Sequence, residues 1–109
     1  SPDPTMNPYL AFALIIAAGL EGMEKQMALP PAVDADLYTA DRSIIAGLTE
    51  LPNSLEQAIE LAENSELAKS VLGEELLTKY IALKREEVSA FAAAEDKAVF
   101  YKERYFRLY

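Results

Sequence analysis

The 109-residue chain contains no histidine and no cysteine. The first absence removes imidazole and with it general-base work by histidine. The second removes thiolate nucleophiles, zinc sites of the usual nitrogen/sulfur type and any disulfide framework. A cysteine-free chain also fits a reducing compartment. Basic residues are scarce as well: ten Lys and Arg against eighteen Asp and Glu give a formal net charge of −8. The deficit is uneven, with thirteen acidic and three basic side chains over residues 1–75 but five acidic and seven basic over 76–109. So few cations form no patch for a phosphate backbone, and nucleic acid is not an expected partner. The acidic excess reads as solvated helix faces. Alternating apolar and polar runs are missing too, so no strand is expected. The N-terminus lacks both an initiating Met and the positive flank of a secretory signal, which reads as a cut or processed chain. The length suits one domain, and an apolar fraction of 51% is enough for a core.

Against these absences stands one long apolar run. Tyr9 to Leu20 passes twelve residues without a charged side chain. Asn7 is a good N-cap, and Pro8 suits the first helical turn. Twelve residues are too few to cross a bilayer, where about 20 are needed. A helix apolar on every side has to be covered on every side. Ala11, Ala13, Ala17, Ala18 and Gly19 allow close backbone approach. The run therefore predicts a central core helix over about 8–28, turning polar at Glu21, Glu24 and Lys25 and stopped by Leu29-Pro30-Pro31.

An irregular stretch over 30–53 follows, with Val33, Leu37, Tyr38, Ile44, Ile45 and Leu48 as its anchors. Connections this long are uncommon in compact domains unless functional or draped over a partner. Asp34, Asp36 and Asp41 lie in it, but neither the turn glycine nor the closing glutamate of a calcium loop is present. Ser54 with Gln57 forms a capping-box pattern that opens a helix over about 54–64. Ser65 caps another over 65–72, with Gly73 as its C′ residue. A last helix is expected from 74 to 108, with Leu77, Ile81 and Val88 as its stripe and Glu75–Lys79 as an i,i+4 pair. Lys84, Arg85, Glu86 and Glu87 read as a solvated face of it. The chain is expected to be all-α.

Half of the ten aromatic residues fall in the last ten positions. Tyr101, Tyr105 and Tyr109 share one helical face by their spacing of four, with Phe100 and Phe106 beside them. Tyr and Phe interleaved with Arg predict a packing or subunit interface made by Phe100, Tyr101, Tyr105, Phe106 and Tyr109. The tail is too weakly basic and too rich in Tyr for a membrane anchor, and no membrane contact is expected.

Five patches in order carry a family resemblance. They are S-P-D-P-x-x-N-P-Y-L-A-F-A at Ser1–Ala13, G-L-E-G at Gly19–Gly22, P-P-A-V-D-A-D-L-Y at Pro30–Tyr38, L-P-N-S-L-E-Q-A at Leu51–Ala58, and Leu72-Gly73 followed by Y-I-A-L-K-R-E-E at Tyr80–Glu87. Together they resemble the C-terminal third of the glutamine synthetase family, over most of the chain to Glu87 and more loosely beyond. The resemblance implies the helical C-terminal part of an α+β catalytic domain. The parent would be a cytoplasmic enzyme that condenses glutamate with ammonia, using ATP and Mg or Mn. It also implies that the metal-binding carboxylates and histidine lie upstream of Ser1, so that no catalytic, metal or cofactor residue is assigned here and the segment alone is inactive. An amine such as a polyamine in place of ammonia, or a free-standing helical interaction module, remains an alternative.

The resemblance carries two further expectations. Many bacterial members are stacked hexameric rings, a dodecamer in which the C-terminal helix reaches the facing ring. Neighbouring subunits and the rest of the catalytic domain are thus the expected partners. The lack of tryptophan in this tail departs from that pattern and bears on the detailed contacts. In one bacterial branch the tyrosine of the D-x-x-L-Y motif is adenylylated, which makes Tyr38 a candidate modification site. The segment Thr39–Ser43 departs from that branch, and a tyrosine in a loop also serves as a simple ring anchor. Taken alone, the chain is expected to self-associate, because the Tyr9–Leu20 helix would otherwise leave a large apolar patch in water.

Overall fold

The computed structural model describes residues 5–106. Six helices follow one another: α1 (Pro8–Glu24), α2 (Arg42–Ile45), α3 (Leu55–Glu63), α4 (Glu66–Leu72), α5 (Glu74–Ala93) and α6 (Lys97–Arg104). Among the described residues there is no strand. The fold is all-α, as the missing alternation predicts.

Local chemistry sets most helix ends. The Asn7 side chain accepts from the backbone N–H groups of Tyr9 and Leu10 at 3.0 and 3.3 Å, and Pro8 occupies the first turn. Ser54 Oγ accepts from the Gln57 N–H at 3.2 Å, while Gln57 Oε1 reaches back to the Asn53 N–H at 2.9 Å. This is the reciprocal cap, displaced by one residue. Ser65 Oγ accepts from the Ala68 N–H at 3.1 Å. Gly73 ends α4 and opens α5 at φ 76°, ψ 152°, a region essentially closed to residues with a Cβ.

Two boundaries differ from the sequence expectation. The first helix ends at Glu24 rather than near 28. Gln26 adopts a left-handed φ of 48°, and its N–H donates to the Met23 carbonyl while that of Met27 donates to Gly22 at 3.0 Å. This double closure is a Schellman motif, so α1 stops on its own backbone before Pro30 and Pro31 are reached. The expected single helix from 74 to 108 is divided. Ala94 is extended (ψ 129°), and the Asp96 side chain caps a new helix by accepting from the N–H groups of Ala98 and Val99 at 2.8 and 3.1 Å. Lys97 Nζ donates to the carbonyls of Phe91, Ala92 and Ala94, quenching the exposed end of α5. The stretch 30–53 also holds the short α2, and of its expected anchors only Ile45 and Leu48 are half-buried. Val33, Leu37, Tyr38 and Ile44 are exposed.

Helix α5 is the axis of the fold. Leu77 and Ile81 on it meet Ile59 of α3 and Ala68 of α4, with Leu14, Ala62, Leu72 and Val88 packed around them. Helix α1 joins through α4, burying only the side that carries Leu10, Leu14 and Ala17. The core is small for the chain. The radius of gyration is 17.1 Å, where about 13 Å is usual for this length. The accessible surface is 9313 Å², where a folded monomer of 12.0 kDa exposes roughly 6000 Å². Exposed apolar side chains of α1 and the whole of the exposed segment 23–39 contribute to the difference.

Candidate functional site

Three features stand out from the packed core: the outer face of α1, the clasp between α5 and α6, and the turn at Tyr38.

No residue of α1 is buried. Tyr9, Ile16, Leu20 and Met23 are 84%, 62%, 50% and 69% exposed, and Phe12 and Ile15 beside them are also exposed. The half-buried Leu10, Leu14 and Ala17 occupy a different side of the helix, turned by about 100° from Tyr9, Ile16 and Leu20. The helix expected to be covered all round is therefore covered on one side only by the described residues.

The clasp is built from α5 outward. Tyr80, Lys84, Glu87 and Phe91 follow one another at spacings of four, three and four, so they form one helical stripe. Glu87 on that stripe is 8% exposed and is the buried charged residue among the described residues. Because α6 folds back over α5, Tyr105 donates its hydroxyl proton to Glu87 Oε1. Lys84 Nζ lies 3.0 Å from Glu87 Oε2, and an Arg104 guanidinium nitrogen lies 3.8 Å from the same oxygen. Burial pushes the Glu87 carboxyl up. The Tyr105 hydroxyl and the Lys84 and Arg104 cations outweigh it and hold the group below the ordinary carboxylate value. The Tyr105 phenol is pushed up to about 12 by burial and by the adjacent carboxylate. Above the clasp the rings meet edge-on or tilted: Phe91 meets Phe100 and Tyr101 at 5.6 and 5.2 Å, and Tyr101 meets Tyr105 at 5.7 Å. These rings, with Leu55 and Val88, line a cleft of about 520 Å³.

Of the expected interface residues, Phe100, Tyr101 and Tyr105 come together here, whereas Phe106 projects outward at 79% exposure. Tyr109 lies outside the described residues. Glu87 overturns the reading of 84–87 as a solvated face. Arg85 is exposed and pairs with Glu63 at 2.6 Å, but Glu87 points inward. The signal was its place between Lys84 and Phe91 on an otherwise covered stripe.

Tyr38 is fully exposed, in a turn closed by the Thr39 N–H donating to the Asp36 carbonyl at 3.0 Å. The Asp36 side chain accepts from the Tyr38 N–H at 3.0 Å. Its ring anchors nothing in this chain. Among the described residues no group of three acidic side chains is placed to hold a metal ion. No helix of the described residues is long and apolar enough to cross a membrane.

An all-helical scaffold with a small core and one uncovered apolar helix is part of a catalytic domain: residues 1–102 match the family model described as glutamine synthetase, catalytic domain. The chain belongs to the glutamine synthetase family. It is 42% identical over 93 residues to a gamma-glutamylethanolamide synthetase of Streptomyces coelicolor, covering 85% of this chain and 19% of that protein. It is 43% identical over 89 residues to a glutamine synthetase of Mycolicibacterium smegmatis, covering 80% and 20%. It is 35% identical over 96 residues to a glutamine synthetase of Methanocaldococcus jannaschii, covering 86% and 21%. The chain spans about a fifth of the length of these curated relatives.

Proposed function

We propose that the chain is the helical packing and assembly segment of an ATP-dependent glutamate–ammonia ligase and performs no catalysis by itself. The observation that carries this reading is the outer face of α1. It is too apolar to be left in water, and it belongs to a sequence that matches a catalytic domain while spanning about a fifth of its relatives. In the parent enzyme this face would back the remainder of the catalytic domain, which would supply ATP, the divalent metal and the glutamate site. The test is an assay of the 109-residue chain with ATP, Mg, glutamate and ammonia. No glutamine is expected. Turnover by the chain alone would overturn the reading.

A second reading keeps the ligase but changes the nucleophile to an amine such as a polyamine. The identity to a gamma-glutamylethanolamide synthetase, 42%, stands beside 43% to a glutamine synthetase. This segment therefore does not discriminate the two. Comparing ammonia, ethanolamine and putrescine as substrates of the parent enzyme separates them.

The tail residues Phe100, Tyr101, Tyr105, Phe106 and Tyr109 form the assembly element in this proposal. Deleting residues 94–109 from the parent is expected to weaken contact between its rings, read by sedimentation. Intact double rings after deletion would remove that role. The exposure of Tyr38 supports its candidacy for adenylylation. Mass spectrometry of the native protein under nitrogen excess tests this candidate, and the absence of an adduct on Tyr38 would exclude the modification.

A further inference from the structure

We infer that, in solutions of this 109-residue chain, the outer face of α1 is covered by α1 of a second copy, the two helices running antiparallel. The inference is independent of the ligase reading and concerns what the chain does when nothing else covers that face.

Spacing is the first argument. Tyr9, Ala13, Ile16, Leu20 and Met23 recur at intervals of four, three, four and three, and all five are exposed. That is the interval of a seam which packs against another helix. The buried side of α1 repeats it, with Leu10, Leu14 and Ala17 set against α4. Ala13 at the middle of the outer seam lets a partner helix approach closely.

Area is the second. The chain exposes 9313 Å² where its mass predicts roughly 6000 Å². A stable pair needs only about 800 Å² from each partner. Tyr9, Phe12, Ile15, Ile16, Leu20 and Met23, each at least half exposed, offer an apolar area of that order, nearly all of it on one helix.

Charge fixes the direction. The outer seam is uncharged along its length, and the acidic Glu24 stands at the C-terminal end of α1 without a basic residue in the first turn. In a parallel pair, Glu24 would face its own copy and the helix dipoles would align. In an antiparallel pair, Glu24 comes beside the partner's helix N-terminus, where the macrodipole favours a negative charge.

Sedimentation equilibrium tests the stoichiometry, with twice the 12.0-kDa monomer mass expected at micromolar concentration. Replacing Ile16 by Glu puts a charge on the seam without touching the α4 side. It is expected to raise the dimer dissociation constant at least about tenfold while the helical circular dichroism is kept. Because the chain has no cysteine, single replacements also report direction. Tyr9→Cys mixed with Met23→Cys is expected to form an intermolecular disulfide on mild oxidation, and Tyr9→Cys alone is not. A wild-type monomer at 100 micromolar, a parallel crosslink through Tyr9→Cys alone, or binding to phosphatidylcholine vesicles in place of dimerisation would each overturn the inference. Any of these leaves the ligase reading standing, and turnover by the isolated chain would do the reverse.

Discussion

The Tyr105 hydroxyl donates its proton to the Glu87 carboxylate across the turn that joins α5 to α6. The partners are 18 positions apart, and their contact joins the Phe91–Phe100 and Phe91–Tyr101 ring pairs in holding α6 against the helix before it. Losing a hydrogen bond to a charged acceptor costs about 1.5–3 kcal/mol when the acceptor stays buried. Here Lys84 and Arg104 remain as partners, so Tyr105→Phe is expected to cost near the lower end. Glu87→Gln and the double variant complete a cycle whose coupling should be about 0.5–3 kcal/mol. Amide exchange of residues 97–104 reads the result. Additive effects would mean that the contact does not hold α6.

The same pair sets a dependence on pH with a definite sign. The Glu87 carboxyl lies below its ordinary value of 4.5, so its contribution is present above that pH and is lost as the pH falls through the lower folded value. The Tyr105 phenol lies at about 12, above its ordinary 10.0. Its contribution is complete below pH 10 and fades as the pH rises from 10 toward 12. Docking of α6 should thus be flat across neutral pH and weaken at both extremes. Phenolate absorbance should show the Tyr105 ionisation delayed toward pH 12, and Glu87→Gln should shorten that delay while leaving the part that burial causes.

Two helix ends respond in opposite directions to glycine chemistry. Gln26 sits at φ 48° at the end of α1, where glycine pays no Cβ penalty. Gln26→Gly is expected to stabilise that end by about 1 kcal/mol. Gly73 occupies φ 76°, ψ 152°, and although a Cβ there would meet no neighbour within 4 Å, the backbone itself is the obstacle. Gly73→Ala is expected to cost about 1–3 kcal/mol. Thermal melts of both variants check the signs.

What could be read from the sequence follows the range of the interaction. Asn7, Ser54, Ser65 and Gly73 act on backbone within three residues, and their caps were legible as local patterns. The division after Ala93 was also local, but Asp96 is a cap inside a strongly helical run, and the Lys97 ammonium joins it at the break by gathering three carbonyls. Glu87 was missed because its burial depends on α6 returning across it. A charge in a Lys-Arg-Glu-Glu run reads as solvated until that helix is in place. The uncovered side of α1 was legible as excess apolarity, since twelve residues without a charge leave no polar face for water.

The exposed connection between α1 and α2 gives the last prediction. From Met23 to Thr39 every residue is exposed, and the described hydrogen bonds of 28–40 are confined to the Asp36 turn. Cleavage requires a segment to unfold locally into the protease, and this one has little structure to lose. Tyr38 and Leu37 are the bulky residues in it that chymotrypsin prefers, and Tyr38 is fully exposed. Brief digestion is expected to cut first after Leu37 or Tyr38, leaving α3 to α6 as a resistant fragment because Ile59, Ala68, Leu77 and Ile81 pack within it. Tyr80 and Phe91 lie in α5 and should be cut later. Early cleavage there would mean that α3, α4 and α5 do not hold together without α1, and the small core would then depend on Leu14 of α1 as much as on its own four residues.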